Sequence, residues 1–71
     1  MRYMIVIEEG ETSFGAYIPD LPGCVAVAET EAELRQLIEE AIEFHLEDLR
    51  GTDAEIPKPL SRSEYIEVLT A

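Results

Sequence analysis

The sequence predicts an α+β domain of two layers, with one long helix packed across a small sheet in the order β-β-β-α-β. Three observations predict it. Three short apolar runs, at residues 3–8, 13–18 and 24–28, alternate at the strand period and are separated by turn residues. Residues 31–50 then place apolar side chains three and four apart, the period of a helix. Two prolines, Pro57 and Pro59, end any helical run before a last alternating stretch at residues 64–69.

In the first run Tyr3, Ile5 and Ile7 point to one face and Met4 and Val6 to the other, so both faces are apolar and a central strand is expected. Glu9, Gly10, Glu11 and Thr12 supply a hairpin turn. In the second strand Phe14, Ala16 and Ile18 alternate with Ser13, Gly15 and Tyr17. Pro19-Asp20-Leu21-Pro22-Gly23 forms a rigid corner, after which Val25 and Val27 alternate with the small Cys24, Ala26 and Ala28. Small side chains suit close packing beneath a helix. Thr30 with Glu33 three residues later is a capping box, which starts the helix at about Glu31. At about 1.5 Å per residue the helix spans roughly 30 Å, its apolar face carrying Leu34, Leu37, Ile38, Ala41, Ile42, His45, Leu46 and Leu49. Glu31 and Glu33 complement the positive end of its dipole and Arg50 the negative end, with Gly51 available for a left-handed C-terminal residue. The last strand alternates Tyr65, Glu67 and Leu69 with Ile66 and Val68.

The run from Tyr17 to Cys24, followed by Thr30-Glu31-Ala32-Glu33, resembles the HicB-like antitoxin family, whose pattern is an aromatic residue, a small apolar residue, Pro-Asp-Leu-Pro-Gly-Cys, a short strand, threonine, then a helix with Glu and Ala. Ala41-Ile42, Gly51 and Ile56-Pro57-Lys58-Pro59 extend the likeness over most of the chain. The chain departs from the family at Ala28-Glu29, where Gly-Asp or Gly-Glu is frequent, and at Leu34, where alanine is common. The resemblance implies a partial ribonuclease H-like topology. It also implies an antitoxin of a type II toxin-antitoxin system that binds and neutralises a HicA-like mRNA-cleaving toxin. Many members carry a helix-turn-helix or ribbon-helix-helix segment after this domain. This sequence stops at Ala71, so repressor activity is not expected of it.

A chain of 71 residues makes one domain, 1–71, and folding at this length buries only about 60% of the surface of the unfolded chain. Pairing is therefore expected, most simply as a twofold dimer, with Val25 and Val27 of the third strand and Ile66 and Val68 of the last as candidate contacts. Sixteen acidic against five basic residues leave a formal charge of -11. That charge repels phosphate, so direct binding of RNA or DNA is disfavoured and a basic protein partner is favoured. Acidic residues at Glu8 and Glu9 come too early for a signal peptide or membrane span, and the lone Cys24 forms no intramolecular disulfide. The chain reads as cytoplasmic.

Catalysis finds little support. A two-metal nuclease needs converging carboxylates; Asp20 lies at one strand end and Glu8 near another, and no convergent set is evident. His45 borders the apolar helix face, and one histidine with one cysteine makes no zinc site. No glycine-rich phosphate loop occurs, so no cofactor is expected. Glu39, Glu43 and Glu47, four apart on the outward helix face, form the candidate partner-binding stripe, and like charges at that spacing favour an opposing basic surface. Asp20 and Leu21, on the tip of the corner, are a second candidate contact, with Leu21 expected to be exposed.

Overall fold

The computed structural model describes residues 1–70. Strands β1 (Val6–Glu9), β2 (Phe14–Tyr17) and β3 (Val25–Ala28) are followed by helix α1 (Glu31–Gly51). The strands form one antiparallel sheet in the order β1-β2-β3. Val6 pairs with Tyr17, Glu9 with Phe14, Tyr17 with Val25 and Phe14 with Ala28.

β1 is thus an edge strand, where a central position was expected from its two apolar faces. Its hairpin, closed by the Gly10 amide donating to the Ser13 carbonyl at 2.8 Å, gives it β2 as its one neighbour. Tyr3 and Ile5, ahead of the ladder, are apolar because they pack against the core.

The corner after β2 is two consecutive turns. The Leu21 amide donates to the Ile18 carbonyl at 3.0 Å across Pro19 and Asp20, and the Cys24 amide to the Leu21 carbonyl at 3.1 Å across Pro22 and Gly23. The second turn needs a left-handed residue after its proline, and Gly23 takes φ 86°. The double turn points Leu21 inward. It is fully buried (0% exposed), which corrects the expectation of an exposed tip. An aliphatic side chain there gains more from the core than from solvent.

α1 covers one face of β3 and β2. Leu34 and Ile38 are buried against Ala16 and Ala28, with Ile18, Leu21 and Cys24 completing the core beside them. Alanines at residues 26 and 28 let the helix approach closely, as their size predicts. Thr30, extended at φ -129° and ψ 155°, accepts from the Glu33 amide at 3.1 Å through its hydroxyl, so the helix begins where the capping box places it.

At the other end Gly51 is the last helical residue, and Asp53 takes the left-handed position at φ 59°. The Asp53 amide donates to the Arg50 carbonyl at 3.2 Å and the Ala54 amide to the Leu49 carbonyl at 2.9 Å, a Schellman closure two residues later than Gly51 suggested. The Thr52 hydroxyl donates to the Asp48 and Leu49 carbonyls, which favours this later ending.

Residues 64–69 pair with no strand of this chain, so the expected fourth strand is a pattern without a ladder. The chain measures 52 × 27 × 17 Å with a radius of gyration of 14.3 Å, against about 11 Å for a compact domain of this length. A 21-residue helix accounts for about 32 Å of the long axis.

The two helix ends make opposite predictions. Thr30→Ala removes the cap and should cost about 1 kcal/mol. Asp53→Gly relieves a left-handed side-chain position and should add stability of up to about 1 kcal/mol, raising the melting temperature by a few degrees. Thermal unfolding followed by circular dichroism checks both.

Candidate partner-binding surface

The helix buries the face centred on Leu34 and Ile38, and its opposite face belongs to solvent. Glu39, Glu43 and Glu47 lie there, all exposed, with Glu40 beside them. A four-residue step advances a helix by about 40° beyond one turn, so the three acids form one slanting row. Among the described residues no side-chain hydrogen bond reaches this row.

Phe44 stands beside this row, 75% exposed. Glu40, Glu47 and Asp48 are three or four residues from it and therefore its helix neighbours. It borders a shallow depression shared with Glu47, Asp48, Gly51 and Thr52. Sequence reading missed this residue, although the signal was present: Phe44 stands three residues after Ala41 and seven after Leu37, a large aromatic at the margin of the apolar stripe. An exposed aromatic ring within an acidic rim combines an apolar anchor with charge that orients a partner.

The corner is a different case. Asp20 accepts from the Ser61 amide at 2.9 Å and from the Ser61 hydroxyl at 2.8 Å. The Tyr3 hydroxyl donates to the Pro57 carbonyl. These two attachments strap residues 57–61 across the end of the sheet where Tyr3 and Asp20 lie. Leu21 is buried and Asp20 is occupied within the chain, so the corner does not present the pair of contacts expected of it.

On the face of the sheet away from α1, Val25 and Val27 are 62% and 67% exposed, with Tyr17 beside them. Ile66 and Val68 are also exposed, on the segment beyond the strap. The structure does not bring these two candidate pairs together within one chain.

The acids weighed for catalysis are separated as well. Glu8 pairs with Gly15 inside the hairpin, whereas Asp20 lies past the far end of β2. Among the described residues, no group of three or more His, Cys, Asp and Glu side chains could hold a metal ion. His45 is half-buried on the helix flank. Cys24 is buried, and desolvation pushes its thiol up from the ordinary range. No helix of the described residues is long and apolar enough to cross a membrane.

A family model described as the HicB_like antitoxin of bacterial toxin-antitoxin systems matches residues 3–69. The chain is similar to an uncharacterized 14.9 kDa protein of the rep-hol intergenic region of Haemophilus phage HP1, with 36% identity over 66 residues, 93% of this chain and 50% of that protein. It is also similar to a UPF0150 protein of Helicobacter pylori strain J99, with 40% identity over 48 residues, 68% of this chain and 67% of that one. The chain therefore spans half the length of the phage relative. No solved structure matches.

Two predictions concern this region. Asp20→Ala should free the strap while leaving the sheet and helix in place, so the Ser61 amide should exchange with solvent at least tenfold faster; unchanged exchange would mean the bond holds nothing. Cys24 should resist alkylation in the native protein and react once unfolded. Its folded pKa lies above the unfolded value, so its contribution to stability is full below the unfolded thiol pKa, about 8.5, and is lost as pH rises beyond it. Denaturation at pH 7 and pH 10, with Cys24→Ala as control, measures the difference.

Proposed function

The chain belongs to the HicB-like antitoxin family, and we propose that it binds and neutralises a small basic HicA-like ribonuclease toxin in the cytoplasm. The family match along residues 3–69 supports the antitoxin role. The observation that carries the mechanism is the outward face of α1, where Glu39, Glu43 and Glu47 run beside the exposed Phe44. Carboxylates, like backbone phosphates, offer lysine and arginine a negative charge and paired acceptor oxygens. An acidic helix seated on the toxin's RNA-binding surface excludes RNA by occupying its cationic groups. The net charge of -11 speeds encounter with a basic partner, and Phe44 contributes the desolvated anchor that charge alone lacks.

In this reading the protein is not itself a nuclease. RNA incubated with it and magnesium or manganese should stay intact. Cleavage that vanished in Asp20→Asn or Glu8→Gln would replace the antitoxin reading with an enzymatic one. A stand-alone homo-oligomer without a toxin is the second reading, favoured by the exposed apolar residues of β3 and of residues 64–69.

The decisive experiment co-expresses the chain with any short basic reading frame encoded beside its gene and measures the complex. Replacing Glu39, Glu43 and Glu47 by glutamine keeps shape and helix propensity while removing three charges. Association should slow and its salt dependence should flatten. Phe44→Ala should weaken binding by ~2 kcal/mol, roughly 30-fold, mainly through faster dissociation. Unchanged rates in both variants, with the fold intact by circular dichroism, would move the toxin site elsewhere on the chain.

A further inference from the structure

This acidic chain keeps one cationic hollow. Residues 2–4, ahead of β1, and residues 59–63 of the strap enclose a cavity of about 480 Å³. Arg2 and Arg62, two of the chain's five basic residues, line it from opposite ends of the sequence. Among the described residues no carboxylate lines it. Sixteen acidic residues are available as partners, yet among the described residues neither guanidinium takes part in a side-chain hydrogen bond. Two like charges that line one cavity favour an anion between them.

Both walls of the cavity are tied down. The Tyr3 hydroxyl donates to the Pro57 carbonyl, and Asp20 accepts from the Ser61 amide at 2.9 Å and the Ser61 hydroxyl at 2.8 Å. Arg2 adjoins Tyr3 and Arg62 adjoins Ser61, so each arginine stands on backbone that these bonds already place. Binding then orders two side chains and leaves the walls as they are, which lowers its cost. Asp20 itself is turned to Ser61 and does not line the cavity. Ser63 adds a hydroxyl to the polar side, whereas Met4 and Leu60 form an apolar one. Leu60 is 79% exposed, so packing within the chain does not account for it.

We propose that this cavity binds a small phosphomonoester of mononucleotide size. Guanidinium groups meet phosphate oxygens in pairs, the Ser63 hydroxyl supplies a further donor, and a dianion balances the charge of Arg2 and Arg62. The volume falls within the range of small-molecule sites, about 300–1,000 Å³. It exceeds what one inorganic phosphate fills, and the apolar side at Met4 and Leu60 takes the body of the ester. A nucleic-acid strand fits poorly. At physiological salt the field of a charge decays over about 8 Å, so one phosphate in the cavity responds to the arginines beside it. A strand running on over the rest of the chain meets sixteen acidic residues instead. The site does not depend on a toxin, so its failure leaves the antitoxin reading standing.

Calorimetric titration of the purified full chain with adenosine monophosphate, inorganic phosphate and adenosine tests this. The monophosphate is expected to bind with a submillimolar Kd, inorganic phosphate more weakly and adenosine not at all. Arg2→Gln and Arg62→Gln alter exposed residues outside the core, so the circular dichroism spectrum should persist while each weakens binding roughly tenfold. Lys58→Gln, which changes a cation that does not line the cavity, should leave binding as it is. Failure of the monophosphate to bind overturns the proposal, as do equal binding of adenosine or of inorganic phosphate, unchanged binding in both arginine variants, and an equal loss in Lys58→Gln.

Discussion

The double turn between β2 and β3 is the constraint on which the rest of the structure depends. Two prolines and Gly23 reverse the chain so tightly that Leu21 is driven into the space between sheet and helix. That reversal sets β3 antiparallel to β2 and carries the chain to Thr30, where the helix starts over the same face. Asp20, lifted by the first turn, is then in place to hold Ser61. Core, helix and strap thus share one corner. A polar residue at position 21 would strike all three, because burying an unpaired polar group costs roughly 2–7 kcal/mol, a large share of a domain stability of about 5–15 kcal/mol.

The core that results is small. It draws on one face of the sheet and one face of the helix, and among the described residues no polar or charged one is buried in it. Ala16, Ala26 and Ala28 admit the helix at close range but leave little apolar volume to bury. The second face of the sheet remains open. This division separates two kinds of surface: an apolar edge and face on the sheet, and an acidic face with one aromatic ring on the helix.

Charge distributes the same way. The helix stripe faces outward because Leu34 and Ile38 face inward, and a helix that buries one side must present the other. Such a surface differs in kind from the uncharged edge of β3. The two surfaces fall on different elements, so one can be altered without disturbing the other.

The sequence by itself determined the three strands, the turns between them and the start of the helix, because these depend on local chemistry: alternation, prolines, Gly23 and the Thr30 cap. It also marked the Glu39, Glu43 and Glu47 row, since helical spacing alone decides which residues share a face. What only the tertiary structure decided were matters of neighbourhood. Leu21 looked like a tip and is core, because a turn's shape does not say which way it folds against a helix. β1 looked central and is an edge, since two apolar faces arise equally from packing at the end of a strand. Asp53 rather than Gly51 closes the helix, because the Thr52 bonds to Asp48 and Leu49 carry it further. Residues 64–69 have the pattern of a strand, but a strand exists only against another, and alternation alone names no neighbour for it.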